Sequence, residues 1–355
     1  MRRLLIVAVV FILTSGASQA NEDRFLNAGN QILDGFIKPA LTTLVTKSAM
    51  LEQNLSSFCK TPASDGLEHT KQAFQGVALA FGRVEILRFG PLIEKNRFER
   101  LYFWPDRRSR ALKRVQRALT ERDPTVLKAE QLREKSVALH GLGGLEFLLY
   151  GTGADTITTD SFRCQFAHAI AGTLHNTAIE LNTVWTKEGG YGSLLITPSA
   201  NNAAYRSSKE IGSEVHNVLK NGVEALRLLK LGSVLGENQQ KAKPKRAPLW
   251  RSNLTIPLLI ANLQALLDFQ QMSGLLTDLS DEHAWTDNAT RFEYENALKR
   301  LREIDLTISD AVRDEDLYNK LTYVQLVMGN LLATYTEDVG PALGLQAGFN
   351  ALDGD

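Results

Sequence analysis

Apolar residues recur at helical spacing along almost the whole chain, and runs of Val, Ile and Thr alternating strictly with polar residues are scarce. Half-buried strands need that alternation, so the pattern points to an all-α fold. It predicts helices over about 23–58, bent near Pro39, then 66–88, 107–119, 124–150 and 160–187, the last capped by Thr159 or Asp160 and stopped by Gly189-Gly190. The segment Gly189 to Ala200 interrupts the pattern with glycines, a proline and small polar residues and reads as a domain boundary. Beyond it, helices are expected over about 201–231, 255–276, 283–312 and 315–337. The expected organisation is two helical bundles, residues 21–195 and 196–355.

Residues 1–20 read as a secretory signal: Arg2 and Arg3, an apolar run from Leu4 to Leu13, then Ser18-Gln19-Ala20 as a small-residue cleavage site. That run is too short to span a bilayer, and no later segment is apolar for long enough. A mature protein in a periplasmic or otherwise exported compartment is expected, without a membrane span. Removing the leader's two arginines leaves 38 basic against 40 acidic side chains, a balance that excludes a generally basic nucleic-acid binder. The two cysteines, Cys59 and Cys164, then meet an oxidising compartment, where a disulfide between them is expected. The alternative is two buried thiols acting as small apolar residues.

One stretch carries the candidate chemistry. Residues 139–151 read LHGLGGLEFLLYG, in which apolar residues surround the single acid Glu146 and glycines occupy 141, 143 and 144. Glycine costs about 1 kcal/mol relative to Ala inside a helix, so this density implies a helix that begins late or a backbone that must approach something closely. The stretch resembles the G-x-H-x-x-E segment of the imelysin family, which includes insulin-cleaving metallopeptidase-like proteins, iron-regulated periplasmic proteins and a periplasmic component of iron uptake. Gly141 matches the family glycine, Glu146 the acid, and Phe147 to Gly151 the apolar tail. Gly143 stands at the histidine position and has no side chain to offer a metal. His140 does not replace it, because residues six apart point to helix faces about 120° apart.

The resemblance recurs at RFGP (88–91) with WPD (104–106), in the basic loop KAKPKRAPLWRS (241–252), and in the closing segment ALGLQAGFNALDGD (342–355). It implies a duplicated four-helix bundle with a cleft between the two bundles, and a tail packed back on the body. The candidate cleft residues are Glu146, Gly143, Gly141, Glu85, Arg88, Trp104, Asp106 and Arg251. Glu146 is the one candidate metal ligand among them. As structure, Glu85 and Arg88 read as a salt-bridge pair one turn apart and Asp106 as a helix cap. Glu146 is expected to be partnered by Arg88 or Arg251, because a carboxylate between Leu145 and Phe147 must be paired or protonated.

Hydrolysis needs an open metal site or a nucleophile beside a base. The histidines fall at 69, 140, 168, 175, 216 and 283, and none makes an H-E-x-x-H pair. No G-x-S-x-G, P-loop or dinucleotide fingerprint is present. The leading expectation is therefore an exported, non-catalytic binding protein, linked by resemblance to uptake of iron or another metal. Its partner is expected to be a metal ion or small ligand in the cleft, the ion weakened as a cofactor by the absence of the motif histidine. A metallopeptidase and a scaffold without a small ligand are the alternatives.

Overall fold

The computed structural model describes residues 21–345, and every regular element among them is helical. The expected leader at 1–20 and residues 346–355 of the closing segment lie outside the described residues. Helix begins at residue 21, passes through a wider π turn at Leu33–Ile37 and continues as α1 (Lys38–Lys60). The π turn is how the chain absorbs Pro39, which lacks an N–H and crowds the carbonyl four residues back. Next come α2 (Ser64–Val84), α3 (Arg110–Glu121), α4 (Gly141–Tyr150) and α5 (Ser161–Thr186). The C-terminal half supplies α6 (Ser208–Glu224), α7 (Thr255–Ser273), α8 (Trp285–Arg302) and α9 (Glu315–Ala333).

In the N-terminal half, α1 packs against α2 and α5, and α4 lies on α5. The start of α5 is fixed by Asp160, whose side chain accepts the Phe162 N–H at 3.1 Å. Ala167, Ala171, Gly172 and Ala178 keep its surface shallow, so α5 is buried over most of its circumference. A disulfide joins Cys59, at the end of α1, to Cys164 in the first turn of α5, with the Cα atoms 5.6 Å apart. In the C-terminal half, α8 packs on α7 and α9, and α6 on α7 and α9. The two halves meet where α2 packs on α7, and their buried apolar side chains form one connected core. Among the described residues no helix is long and apolar enough to cross a membrane.

The expected helix over 124–150 is a correction. The chain instead makes a 3-10 turn at Pro124–Val126, a short helix at Ala129–Arg133 and another 3-10 turn at Val137–Leu139 before α4 begins. Asp123 starts the first turn by accepting the Thr125 N–H at 2.9 Å, a local bond that competes with helix. His140 is then extended, and Gly141 adopts φ +73°. The expected helix over 201–231 also starts late, at Ser208, because the Asn202 side chain closes a turn by accepting the Ala204 and Tyr205 N–H groups. Helix 283–312 ends at Arg302, with a separate turn at Ile308–Ala311 capped by Thr307.

Candidate functional site

The glycine density at 141–144 is explained by the first turn of α4. A Cβ on Gly141 would lie 2.6 Å from the Leu101 carbonyl oxygen, and its positive φ is one that side chains disfavour. Gly143 differs: a Cβ there would meet only ring carbons of Tyr102, at 3.6 and 4.0 Å. At the other end of α4, the buried Arg163 donates from Nε to the Leu148 carbonyl and from Nη2 to that of Phe147, both at 2.9 Å, the Phe147 carbonyl also accepting the Gly151 N–H at 2.9 Å. Held at both ends, α4 presents Glu146 toward the basic loop of the C-terminal half.

That loop is shaped by Leu249 and Asn253, both at positive φ, and by bonds from the Leu249 N–H to the Tyr102 hydroxyl oxygen (3.1 Å) and from Thr255 Oγ1 to the Pro248 carbonyl (2.7 Å). The loop turns the successive N–H groups of Arg251 and Ser252 onto one carboxylate oxygen. Glu146 Oε1 accepts the Arg251 N–H at 2.9 Å, the Ser252 N–H at 3.0 Å and the Ser252 hydroxyl at 2.9 Å. Consecutive amides aimed at one anion form a nest-like site built from main chain. The Arg251 guanidinium stands further off, Nη1 at 3.8 Å from Oε2, and rests on the Trp250 ring 4.4 Å from its centroid. Burial raises the Glu146 carboxyl above its usual range, opposed by the Ser252 and Arg251 donors.

Around this contact lies a cavity of about 360 Å³, lined from the N-terminal half by Tyr102, Trp104, Asp106, Gly143 and Phe147 and from the C-terminal half by Leu229, Ser233 and the loop residues Lys245, Arg246, Leu249, Trp250 and Arg251. Trp104 stacks on Tyr102, ring centroids 6.3 Å apart and planes 16° apart. Asp106 caps α3, its carboxylate accepting the N–H groups of Arg110 (2.7 Å), Ala111 (3.1 Å) and Leu112 (3.2 Å).

Of the candidates from the sequence, Glu146, Gly143, Trp104, Asp106 and Arg251 line this cavity, and Gly141, Glu85 and Arg88 do not. Gly141 holds the turn against Leu101. Glu85 is buried between the halves, where Lys230 Nζ donates to its Oε1 and also to Asn262 Oδ1 at 2.6 Å, while Asn262 Nδ2 reaches the same Glu85 oxygen at 2.6 Å. The expected Glu85–Arg88 pairing is thus corrected: Lys230, from a π segment at Ala225–Gly232, takes the carboxylate, and the Arg88 guanidinium lies 4.2 Å from the Phe98 ring centroid. Arg88 is accordingly no partner of Glu146. Ser252, Tyr102, Lys230 and Asn262 were missed, and of these only Ser252 lay in a stretch already singled out.

The donor set does not fit a metal ion. Glu146 Oε1 is saturated by three donors and Oε2 faces a guanidinium. Residue 143 offers no ligand, and His140 commits Nε2 to the Leu132 carbonyl at 2.5 Å. Among the described residues no three His, Cys, Asp or Glu side chains are grouped to hold an ion. Glu146, the candidate metal ligand, here accepts hydrogen bonds from the basic loop.

Comparison with protein-family profiles matches imelysin over residues 37–333. The chain belongs to the imelysin family. Two solved structures share the imelysin fold. One is an imelysin-like protein from Psychrobacter arcticum 273-4, with TM-score 0.72 and 17% identity, covering 92% of this chain and 98% of its own. The other is an iron-regulated protein A precursor from Parabacteroides distasonis ATCC 8503, with TM-score 0.69 and 12% identity, covering 89% and 96%. No curated protein matches the sequence. At these identities the neighbours establish the fold, and the chemistry of this imelysin's cleft rests on its own residues.

Proposed function

We propose that this imelysin-family protein is exported and non-catalytic, and that it binds a small ligand in the cleft between its halves as part of iron or other metal uptake. The observation that carries the reading is the cavity of about 360 Å³ closed behind a carboxylate that is already fully engaged. Its size falls at the lower end of the ~300–1,000 Å³ typical of small-molecule sites. The uptake role is supported by the family and by a structural neighbour named as an iron-regulated protein A precursor. Because the cleft's donors do not fit a bare ion, the ligand is an organic molecule or a complex carried by one. Peptidase chemistry would need Glu146 free to activate water, and its Oε1 has no such freedom.

Gly143→Phe tests the reading, since the backbone tolerates a Cβ there and the ring enters the cavity. Ligands recovered with the wild-type protein, identified by native mass spectrometry, should be lost from this variant at unchanged melting temperature. Chelator-sensitive cleavage of an unfolded protein substrate, abolished by Glu146→Ala, would assign a peptidase instead.

A further inference from the structure

The charges around the cleft are unevenly satisfied. Its two carboxylates are both engaged, Asp106 by three amides at the start of α3 and Glu146 by three donors of the basic loop. Its cations are not. Arg107, Lys245 and Arg246 line the same cavity, are exposed, and have no carboxylate partner among the described residues. A concave site lined by unpaired charge of one sign focuses the field and raises the local concentration of the opposite ion. The same cavity is lined by aromatic rings: Trp104, stacked on Tyr102, and Trp250. Arg251 and Lys245 both lie over the Trp250 ring, at 4.4 and 5.7 Å from its centroid, so positive charge and planar apolar surface are presented together.

We propose that the cleft selects a small organic anion carrying a planar aromatic ring, such as an aromatic carboxylate, with the ring against the tryptophans and the charge among Arg107, Lys245 and Arg246. This rests on the binding-protein reading above and adds the ligand class. A free aromatic acid and the anionic face of its iron(III) complex offer the same chemistry to these residues.

Calorimetric titration of the mature protein uses three small phenolic probes of different charge: 2,3-dihydroxybenzoate as the anion, catechol as the neutral ring and tyramine as the cation. The anion should bind at least about tenfold more tightly than catechol, and tyramine should bind weakest. Lys245→Glu/Arg246→Glu, which changes exposed side chains without carboxylate partners, should weaken the anion about tenfold, as should raising the salt to about 1 M, where screening is nearly complete. Repeating the titration with the iron(III) complex identifies the source: tighter binding of the complex assigns the chelate, and equal or weaker binding assigns the free acid. Catechol or tyramine binding as tightly as the anion, with loss on Gly143→Phe, would overturn the charge selection and leave the cleft as a binding site. An anion whose affinity is indifferent to both the double variant and Gly143→Phe would overturn the assignment to this cleft.

Discussion

Glu146 and Arg251 meet mainly through the main chain. The Arg251 N–H donates to Oε1 at 2.9 Å, whereas the guanidinium stands at 3.8 Å from Oε2 and spends its face on Trp250. The two residues belong to different halves of the chain, so the contact closes the cleft from within. Its strength therefore depends on the loop's path more than on the arginine's charge. Arg251→Ala keeps the amide and should cost about 1 kcal/mol, the scale of a partly exposed cation contact. Glu146→Ala leaves the part-buried Arg251 and Ser252 amides without their acceptor, while the Ser252 hydroxyl can still turn to the Leu249 carbonyl at 3.1 Å, and should cost about 2–3 kcal/mol. Urea unfolding of both variants gives the comparison, and equal losses would mean that the guanidinium dominates.

The glycines of α4 separate by the same reasoning. Gly141→Ala forces a side chain into a left-handed backbone and toward the Leu101 carbonyl, and should cost about 2 kcal/mol or more. Gly143→Ala sits in open helical backbone against the Tyr102 ring and should stabilise by about 0.5–1 kcal/mol. Thermal melts of the two single variants should shift in opposite directions.

These contacts mark how far the sequence could be read. Helical period and stop signals located α1, α2, α5 and α7 to within a few residues, because each buries a face along an uninterrupted run. The same period misled over 124–140, where Leu132 and Leu139 are buried seven residues apart, a helical spacing, although they sit in two separate short turns of the chain. Apolar spacing reports burial, and a string of short turns buries residues as well as one helix does. Glu146 was legible as an acid in apolar surroundings. Its partners were not, since two of its three donors are main-chain amides, which carry no residue-type signal. The Glu85–Lys230 contact joins positions 145 residues apart and has no local signature at all.

Glu214 provides a pH dependence. It is half-buried on α6, accepts one long bond from the Tyr205 hydroxyl at 3.4 Å, and burial raises its carboxyl from 4.5 to about 7 against that bond. Below pH 4.5 both folded and unfolded chains are protonated there, and no effect is felt. Between 4.5 and about 7 the native state holds a proton that the unfolded chain has released, so stability falls as pH rises, and above about 7 the penalty is complete. Because the carboxyl meets some solvent, the penalty is on the order of 1–2 kcal/mol. Glu214→Gln should flatten this slope in melts taken across the window, and an unchanged slope would assign it to other groups.

The buried Glu85–Lys230 pair between the halves makes the sharpest energetic case. Burial lowers the Lys230 ammonium pKa, and the Glu85 carboxylate opposes that shift by favouring the charged form. Neither side chain has appreciable solvent access, 3% for Lys230 and 5% for Glu85, so each depends on the other and on Asn262. Lys230→Met removes the cation and keeps most of the side-chain volume, leaving the carboxylate only the Asn262 donor and the more distant Arg88 charge, at about 3 kcal/mol. Adding Glu85→Leu removes that charge too, and apolar replacement of a buried pair is often neutral or stabilising. The double variant should therefore recover much of the loss, with Asn262 still donating to the Gly82 carbonyl at 2.6 Å across the halves. A double-mutant cycle in urea measures this directly. Losses that simply add would show that Glu85 and Lys230 act independently and that packing of α2 on α7 alone holds the halves together.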